Sequence, residues 1–528
     1  MARIDIRVPL GEMPKVEDHQ LSQNYAGEAR NMDLRNATWK TYKAPLDLSQ
    51  PILPATKTIY RYNPDSGGFL FQFDNVVDVI RGPIASDTNL MTYIFGDGVP
   101  KFTVSSIAQT AAPYPSATYD LGIPVPVGAI SVTGPAIAAP DDVEVVTTNY
   151  VVTYIDQFGA EGPPSSVTVT VDRWDGQPVN LSNIPVSSGN FIIATKRIYR
   201  SELSGEFLFV ADIGAAVTTY DDSVDSNLLG TVLPSTNWFA PDPLLEGAIA
   251  LPNGGIMGWN GNTISFSEPF RPHAWPPEYE QGLDFDVVGA SVTSSGILVA
   301  TTGKPYVITG IDPSSMGADK IDAIQACVSR RSIVDMGGFA IYASSDGLVA
   351  AGGAEAKLIS EDLITPEQFR ALNPASFDAY RYDERYLAFY DNGVDQGALM
   401  FSPKEGFIFF DQFAEAGYVD RETGRLYLKQ GTALTAWNEG AQLEGRWRSK
   451  LFQSPQDQFL SVAKVDANSY PQTLEFFRDG ISIKTIAVQN NKGFRLPSRS
   501  RYRDDQFEYR GTGEVTRVQL ASSMSELI

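Results

Sequence analysis

The sequence has few of the residues from which most catalytic and metal sites are built. Its 528 residues include one cysteine, Cys327, and two histidines, His19 and His273. A single cysteine excludes an intrachain disulfide, so we expect a fold held by packing alone and Cys327 as a buried apolar thiol. His19 lies in a polar segment and His273 in a proline-rich one, and neither belongs to an HExxH motif or a nucleophile turn. We therefore predict no catalytic histidine and no metal site.

Long apolar runs and phosphate-binding loops are also missing. No run of about 18 apolar residues occurs, and the first residues lack the apolar core of a signal peptide. The glycine-rich stretches GDGVPK (96–101) and SSDGLVAAGGAEAK (344–357) lack the GxxxxGK[ST] pattern and are expected to be turns. We expect no membrane anchor, no cofactor, and synthesis and assembly in a cytoplasm.

Positive charge is scarce. The formal net charge is −22 and the pI is about 4.6, which excludes a basic surface that wraps or reads nucleic acid and disfavours an anionic membrane. The charge is uneven, with thirteen acidic and four basic residues in 141–235 but ten acidic and thirteen basic residues in 443–528. Segments of opposite charge favour packing of copies side by side.

Paired carboxylates are the remaining route to an enzyme, because many glycosidases use two of them on a β scaffold. The candidates are Asp221 with Asp222 and Asp383 with Glu384, but among 63 acidic residues such neighbours arise by chance, and we predict solvated turns. Trp275 and Tyr279 could stack on a sugar, although aromatic residues more often anchor their own chain. We predict a protein without enzymatic activity and assign no catalytic, cofactor-binding or metal-binding residues.

What the sequence has in abundance is β-forming and turn-forming residues, including 45 Gly, 34 Pro, 23 Tyr and 28 Phe. This composition predicts an all-β fold, and the length is too great for one core. We predict a polar N-terminal arm (1–50), a first propeller-like segment (51–105), a Pro/Ala-rich linker (106–140), a fibronectin type III-like sandwich (141–235), a propeller-like domain (236–442) and a C-terminal antiparallel β domain (443–528).

The propeller-like prediction rests on repeated pairs of short apolar strands. Residues 251–279 predict a hairpin with a turn at 260–262, followed by a proline-broken connector. Similar units recur roughly every 35 to 45 residues, a spacing typical of propeller blades, although a two-layer sandwich stays an alternative. One surface helix is predicted at 360–372, with Thr365 as a cap and Pro366 in the first turn.

A basic run lies near the C-terminal end of the sequence. It consists of Arg495, Arg499, Arg501 and Arg503 beside Asp504 and Asp505. Because acids follow directly, a solvated or intersubunit salt-bridge surface is favoured over contact with nucleic acid.

Several stretches together carry a resemblance. They are NMDLRNATWKTYKAP (31–45), TIYRY (58–62), DVIRGPIASDTNLMTYIFGDGVPKFT (78–103), RIYRS (197–201) and LPNGGIMGWNGNTISFSEPFRPHAWP (251–276). The chain resembles the tail nozzle or tail hub proteins of short-tailed bacteriophages, also called tail tubular protein B. The resemblance implies a propeller-containing virion protein in a closed ring, usually a hexamer. It also implies no catalytic residues.

The same resemblance implies partners. Such rings continue the channel of the head-to-tail connector and adaptor proteins, and they dock tail fibres or receptor-binding proteins outside. Genomic DNA passes through the lumen without specific binding, and acidic walls would let the duplex slide because they repel phosphates. Two alternatives stay open: a receptor-binding or polysaccharide-binding tail protein that degrades glycans or only binds them, and a minor structural protein of a long-tailed virion.

Overall fold

Strands dominate the computed structural model, which describes residues 3–63, 68–202, 205–420, 422–458, 460–497 and 502–527. Strands account for 45% of the structure and helices for 6%, which confirms the all-β prediction. Two members of the basic run, Arg499 and Arg501, lie outside the described residues.

The strands are short and follow one another closely. The first six are β1 (Arg3–Ile6), β2 (Ala26–Arg30), β3 (Met32–Asp33), β4 (Lys40–Thr41), β5 (Leu46–Pro51) and β6 (Thr58–Tyr62). The next sixteen are β7 (Phe69–Phe73), β8 (Asp78–Arg81), β9 (Thr92–Phe95), β10 (Lys101–Thr103), β11 (Tyr119–Asp120), β12 (Ser131–Thr133), β13 (Val146–Asp156), β14 (Val171–Arg173), β15 (Val179–Ser182), β16 (Ile193–Ser201), β17 (Phe207–Gly214), β18 (Tyr220–Asp222), β19 (Gly247–Ala250), β20 (Ile256–Asn260), β21 (Thr263–Phe266) and β22 (Gln281–Gly282).

The remaining strands complete the chain. They are β23 (Val287–Thr293), β24 (Gly296–Thr301), β25 (Tyr306–Thr309), β26 (Gly317–Lys320), β27 (Val334–Asp335), β28 (Ala340–Ala343), β29 (Leu348–Gly352), β30 (Glu355–Leu358), β31 (Asp378–Tyr382), β32 (Arg385–Asp391), β33 (Gln396–Ser402), β34 (Gly406–Phe410), β35 (Ala416–Val419), β36 (Leu426–Gln430), β37 (Ala433–Ala436), β38 (Gly445–Ser449), β39 (Phe452–Gln458), β40 (Val462–Ala467), β41 (Gln472–Arg478), β42 (Ile481–Val488), β43 (Phe494–Arg495), β44 (Tyr502–Gly511) and β45 (Val515–Ala521).

Helices are few and short. The α-helices are α1 (Ser105–Ala108) and α2 (Pro366–Ala371), and the 3-10 helices are Ser226–Leu228, Pro277–Tyr279, Pro313–Ser315, Arg330–Ser332, Pro374–Ser376 and Met524–Glu526. The Thr365 hydroxyl accepts from the Gln368 N–H, and the Gln368 side chain accepts in return from the Thr365 N–H. This capping box and Pro366 in the first turn confirm the predicted cap. The helix begins at Pro366 rather than at residue 360, since the cap fixes its first turn there.

The chain forms two compact units. The first contains Met1–Arg61, Val288–Thr309 and Asp319–Ile528, and the second contains Tyr62–Val287 and Gly310–Ala318. The predicted boundaries at residues 51, 106, 141, 236 and 443 divide the chain more finely than these two units and stay predictions.

The second unit contains two chain-order sheets and a pair of facing sheets. Strands β8 to β11 form one four-stranded antiparallel sheet, and β19 to β22 form another. Between them in sequence, the order β14-β13-β16-β17 forms one sheet and β12-β15-β18 forms a second. Side chains from both of these sheets meet in one core, including Tyr150, Val152, Leu181 and Ile198. Residues 131–222 are therefore a two-layer sandwich.

The first unit contains several more four-stranded sheets. Strands β23 to β26 and β27 to β30 each form a sheet in chain order, and β35, β36 and β37 are completed by β5 from the N-terminal segment. Strands β31 to β34 also follow in order, but they continue into a sheet of ten strands. Apart from the pairing of β5 with β37, antiparallel turns join strands that are neighbours in sequence, so these parts of the sheets follow from local hairpins.

The N-terminal segment, predicted as an arm on the main body or a neighbouring subunit, contributes strands to the sheets of the first unit. Strand β2 lies between β34 and β38 in the ten-stranded sheet, which continues through β44, β41 and β42. Strand β1 pairs with β45 in a separate sheet that also includes β40 and β43. Trp39 and Trp447 pack edge to face at 5.4 Å between ring centroids in the core below these strands.

Candidate functional site: the connector cavity

The predicted hairpin at 251–279 is present and leads into an ordered connector. Strands β20 and β21 place Asn260 opposite Thr263, so Gly261 and Asn262 form the predicted turn. Gly261 has a φ of +54°, which glycine adopts without steric cost. Replacing Gly254, at the other end of β20, would be harder, since a Cβ there would meet the Phe270 ring at 2.7 Å.

The connector after β21 folds back on itself through its own hydrogen bonds. The Glu268 N–H donates to the Ala274 carbonyl at 2.9 Å, and the Ala274 N–H donates to the Arg271 carbonyl at 3.0 Å. The Trp275 indole N–H donates to the Pro272 carbonyl at 2.9 Å, and its ring is only 4% exposed. Trp275 is thus part of the core, as is typical of an anchor, and offers no exposed face for a sugar. Tyr279 is half-buried, and its hydroxyl donates to Glu268.

Residues 270–273 of the connector line a cavity of about 240 Å³ within the second unit, which we call the connector cavity. Its other walls come from 82–93, 121–123 and 156–160. The apolar part of the lining consists mainly of Ile84, Met91, Phe102, Leu121, Ile123 and Phe158.

Two acidic side chains of the lining are held by main-chain N–H groups. Asp87 accepts from the N–H groups of Asn89 and Met91 at 2.9 and 2.8 Å. Asp156, at the end of β13, accepts at Oδ1 from Phe158 and Ala160, both at 2.8 Å. Burial raises the pKa of Asp156, while these N–H groups oppose that rise. The two loops therefore hold their carboxylates in fixed positions.

His273 contributes a neutral imidazole to the cavity. Its Nε2 is buried and has no hydrogen-bond partner in the part of the chain that the structure describes. Burial, assisted by the nearby Arg271, lowers the pKa of His273 to about 4, although the main chain of Glu161 opposes that change. At neutral pH the ring is therefore uncharged.

Arg271 and Tyr93 are the donors of the lining. The Arg271 guanidinium lies 4.4 Å from the centroid of the Trp238 ring, and within the described residues no carboxylate pairs with it. The Tyr93 hydroxyl donates to the Met91 sulfur at 3.5 Å, and burial raises the pKa of Tyr93. The cavity thus combines aromatic walls with two carboxylates and a guanidinium that is stacked on a ring.

The sandwich contains a buried ionic cluster that sequence reasoning missed. Asp222 is fully buried, and its Oδ2 lies 2.6 Å from Nη1 of Arg200 and 2.7 Å from the Tyr150 hydroxyl. The predicted solvated turn is therefore wrong for Asp222, because alternation along β18 turns it inward. The neighbouring Asp221 is exposed and accepts from Asn180. The cluster joins strands and is structural in character.

The second acid pair belongs to a turn of the first unit. Asp383 and Glu384 both have positive φ angles between β31 and β32. Asp383 pairs with Arg35 at 2.7 Å, and Glu384 pairs with Arg381 at 2.5 Å. Each carboxylate is therefore engaged by a different arginine, an arrangement typical of a stabilised turn rather than of an acid and base sharing a substrate.

A cleft of about 540 Å³ in the first unit is lined by arginine and aromatic residues. Arg61 pairs with Asp420 at 2.9 Å, and the guanidinium of Arg425 is paired with Glu439. The guanidinium carbons of Arg61 and Arg425 lie 5.5 and 5.4 Å from the centroid of the Tyr427 ring. Both guanidinium groups of the cleft are paired with carboxylates, whereas Arg271 of the connector cavity is not paired with one among the described residues.

The other singled-out residues have structural surroundings. Cys327 is 4% exposed, as predicted, and burial raises the pKa of its thiol to about 12. His19 is exposed in the first unit, where its carbonyl accepts from Lys450. Across the described ranges, no group of three or more His, Cys, Asp or Glu side chains could hold a metal ion. No helix in the same ranges has the length and apolar character needed to cross a membrane.

Comparison with known proteins yields weak likenesses. No family model and no curated protein matches the sequence. The chain is similar to BBS1N in its complex with ARL6DN, at 9% identity and a TM-score of 0.24, over 75% of this chain and 97% of that one. It is similar to PorZ, a surface component of the type-IX secretion system of Porphyromonas gingivalis, at 9% identity and a TM-score of 0.27, over 85% of this chain and 46% of that one.

A third likeness is to the extracellular domain of BT4673, a putative one component system from B. thetaiotaomicron. It has 10% identity and a TM-score of 0.20, over 87% of this chain and 47% of that one. The chain thus spans less than half the length of PorZ and of this domain. At these TM-scores the likenesses give no basis for a function.

Proposed function

We propose that the chain is a structural virion protein that forms the nozzle or hub at the distal end of a phage tail tube. In this role it forms a closed ring, which we propose to be a hexamer, and the ring continues the DNA ejection channel. It binds adaptor or connector proteins on one side and fibres or receptor-binding proteins outside. It is assembled in the host cytoplasm, has no enzymatic activity and needs no cofactor.

The observation that carries this proposal is the succession of four-stranded sheets in chain order. Strands β8 to β11, β19 to β22, β23 to β26 and β27 to β30 repeat one local pattern, β31 to β34 repeat it within the ten-stranded sheet, and β5 completes the sheet of β35, β36 and β37. Such a series is what a propeller requires, and completion by an N-terminal strand is one way to join its ends. We therefore propose a propeller-like main body, in agreement with the sequence resemblance.

The sandwich supports the second part of the resemblance. Its four-stranded and three-stranded sheets pack through one core within about 95 residues, a size and layering that suit a fibronectin type III-like module. The module interrupts the series of chain-order sheets between β11 and β19. We propose that it is an insertion carried by the ring.

The charge distribution fits a channel that passes DNA without holding it. With a net charge of −22, copies of this chain repel phosphates, whereas a basic lumen would retain DNA through counterion release. We propose that the acidic surplus faces the lumen and the tail exterior and that the basic residues of 443–528 lie at subunit or adaptor contacts. In a heterologous closed ring, each copy offers two different faces.

Electron microscopy of the purified protein, or of particles that contain it, tests the proposal. We expect class averages of a sixfold ring with an open centre, and a mass six times the 57.5 kDa of the chain. A threefold spike at the tail tip would contradict the proposal. So would a stable monomer that cleaves or binds host polysaccharide, which is the behaviour expected of the alternative tail protein.

A further inference from the structure

The ten-stranded sheet of the first unit ends on a long edge strand. Strand β42 is the last strand in the order of this sheet and pairs with β41 along its length, from Gln472 opposite Val488 to Arg478 opposite Ile481. Within the described residues, no main-chain hydrogen bond joins the outer edge of β42 to another segment. An edge of this kind presents a row of N–H and carbonyl groups to which a further strand can add.

The other edges of the described sheets are shorter or are covered. Apart from β17, the remaining edge strands have two to seven residues, whereas β42 has eight. Strand β17 also has eight residues, but its own chain covers part of its outer edge. The Phe209 N–H donates to the Thr231 carbonyl at 3.0 Å, and the Leu233 N–H donates to the Phe207 carbonyl at 2.8 Å. Strand β42 therefore has the longest uncovered edge in the part of the chain that the structure describes.

The residues of β42 favour pairing with a further strand. Its sequence, ISIKTIAV, contains five β-branched residues and no proline, glycine or carboxylate. Ile483, Ile486 and Val488 anchor the strand because they pack against the core of the first unit, while Ile481 is 69% exposed. Exposed edge strands of high β propensity pair with other chains unless charges, bulges or prolines prevent it. Strand β42 has one charge, on Lys484, and one shift of its register with β41, at Ile483.

The charge of Lys484 selects the partner. This lysine is exposed near the middle of β42, and a centred antiparallel pair of two β42 strands would bring two such lysines together, which is unfavourable. Residues 443–528 include thirteen basic and ten acidic residues, whereas 141–235 include four basic and thirteen acidic residues. In the sandwich, β14 and β18 are edge strands, and each carries an exposed aspartate, Asp172 and Asp221 respectively. The sandwich edges therefore carry the charge that complements Lys484.

We propose that β42 is an intersubunit edge, which pairs with an acidic edge strand in the sandwich of a second copy of this chain. Main-chain hydrogen bonds join the two strands, and the Lys484 ammonium group pairs with a carboxylate of the partner strand. This contact rests on the proposed ring, in which each copy offers two different faces, and it names the strand that one of those faces uses.

Cross-linking with a carbodiimide, which joins lysine amines to carboxylates that touch them, tests the contact in the assembled full chain. Rings assembled from equal amounts of ¹⁵N-labelled and unlabelled chain distinguish links between copies from links within one copy by mass spectrometry. We expect mixed-label peptides that join Lys484 to Asp172 or Asp221. Lys404, exposed in the turn between β33 and β34, is the control and should form no such link with the sandwich.

Hydrogen exchange measures the pairing of the main chain. In an edge strand, about half of the N–H groups point away from the sheet and are free to exchange. We expect assembly to slow the exchange of these groups in the peptide 481–488 by on the order of tenfold or more, relative to the same chain diluted until it dissociates.

A charge reversal tests the role of Lys484. We expect Lys484→Glu to raise the protein concentration needed for assembly about tenfold, because the new carboxylate faces an acidic strand. Lys404→Glu makes the same change of net charge and should assemble like the parent. Reversing the cross-linked aspartate, with Asp172→Lys or Asp221→Lys, should restore assembly of Lys484→Glu. Sedimentation velocity measures assembly, and circular dichroism checks that each variant is folded.

The outcomes separate this contact from the ring itself. A sixfold ring without Lys484 links to the sandwich and with unchanged exchange of 481–488 would overturn the contact and leave the ring in place. A chain that stays monomeric at every concentration would overturn both. Equal weakening of assembly by Lys484→Glu and Lys404→Glu would also overturn the contact, since the effect would then come from the overall charge.

Discussion

Asp221 and Asp222 show that a shift of one position along a strand changes an acidic side chain from exposed to buried. Both are acids in β18, but Asp222 lies between Arg200 and Tyr150 with no exposed surface, and Asp221 faces solvent. Removing one member of a buried ion pair leaves the other charge desolvated and uncompensated. We therefore expect Asp222→Asn to lower the free energy of unfolding of the sandwich by about 3–5 kcal/mol.

Asp221→Asn is the control for this prediction, because it removes the same charge one residue away. It should change the free energy of unfolding by no more than about 0.5 kcal/mol. Urea unfolding curves of the two variants, followed by fluorescence and by limited proteolysis of the sandwich, give the comparison. Equal stability of Asp222→Asn and the parent chain would mean that the cluster is not structural.

These two acids could not be told apart by local pattern, since the arginine that pairs with Asp222 lies on β16, twenty-two positions away along the chain. His273 is a similar case. A histidine among prolines predicts an exposed connector, yet the loop folds back through main-chain hydrogen bonds and buries the imidazole nitrogen. Cys327 was predictable, because burial of a lone thiol follows from residue type alone.

Among the elements, hairpins and caps were predictable and long-range pairing was not. The turn at 260–262 and the Thr365 cap follow from residues within a few positions of one another. Strand β2 has the sequence AGEAR, without the alternating large apolar residues of a strand, and it is placed by β34 and β38, almost 400 residues away in sequence. A segment of this kind looks like an arm because its apolar partners are far away in the sequence.

Glu12 binds the N-terminal segment to strands β2 and β34 of the ten-stranded sheet, and its carboxyl group should make the stability of this contact depend on pH. Its main chain exchanges hydrogen bonds with Phe407 at 2.7 and 3.0 Å, and its side chain accepts from the Ala29 N–H at 2.6 Å. Burial raises the pKa of Glu12 to about 8, above the usual value of 4.5. Between these pH values the unfolded chain loses the Glu12 proton and the folded chain keeps it. The contribution of Glu12 to the free energy of unfolding is therefore complete below pH 4.5 and falls as the pH rises toward 8.

We expect Glu12→Gln to remove this pH dependence, because an amide keeps the acceptor without ionising. Relative to the variant, the parent chain should lose about 2–4 kcal/mol of unfolding free energy between pH 5 and pH 9, a range reduced for partial solvent screening. Glu17→Gln, at an exposed position of the same segment, is the control and should follow the parent. Parallel stability curves for the parent and Glu12→Gln would contradict the assignment.

For the whole molecule, the composition settled the fold class and the resemblance supplied the functional hypothesis. Many glycines, prolines and aromatic residues predict short strands and turns, and the structure has them throughout its described ranges. The division into two units was harder to predict from the sequence, since each unit is assembled from segments that are distant in sequence. Which parts of the chain pack together depends on pairings such as β5 with β37, and periodicity carries no signal for them.

The net charge leads to a final prediction about DNA. A protein that binds duplex DNA non-specifically neutralises several phosphates, and its affinity falls steeply with salt. With a charge of −22 this chain should do neither, and we expect a Kd weaker than about 0.1 mM for a short fluorescent duplex at physiological salt. Fluorescence anisotropy at several salt concentrations makes the measurement, and the assembled ring should behave like the single chain. Salt-dependent binding in the micromolar range would indicate a basic surface in contact with DNA, and the proposed acidic lumen would then be wrong.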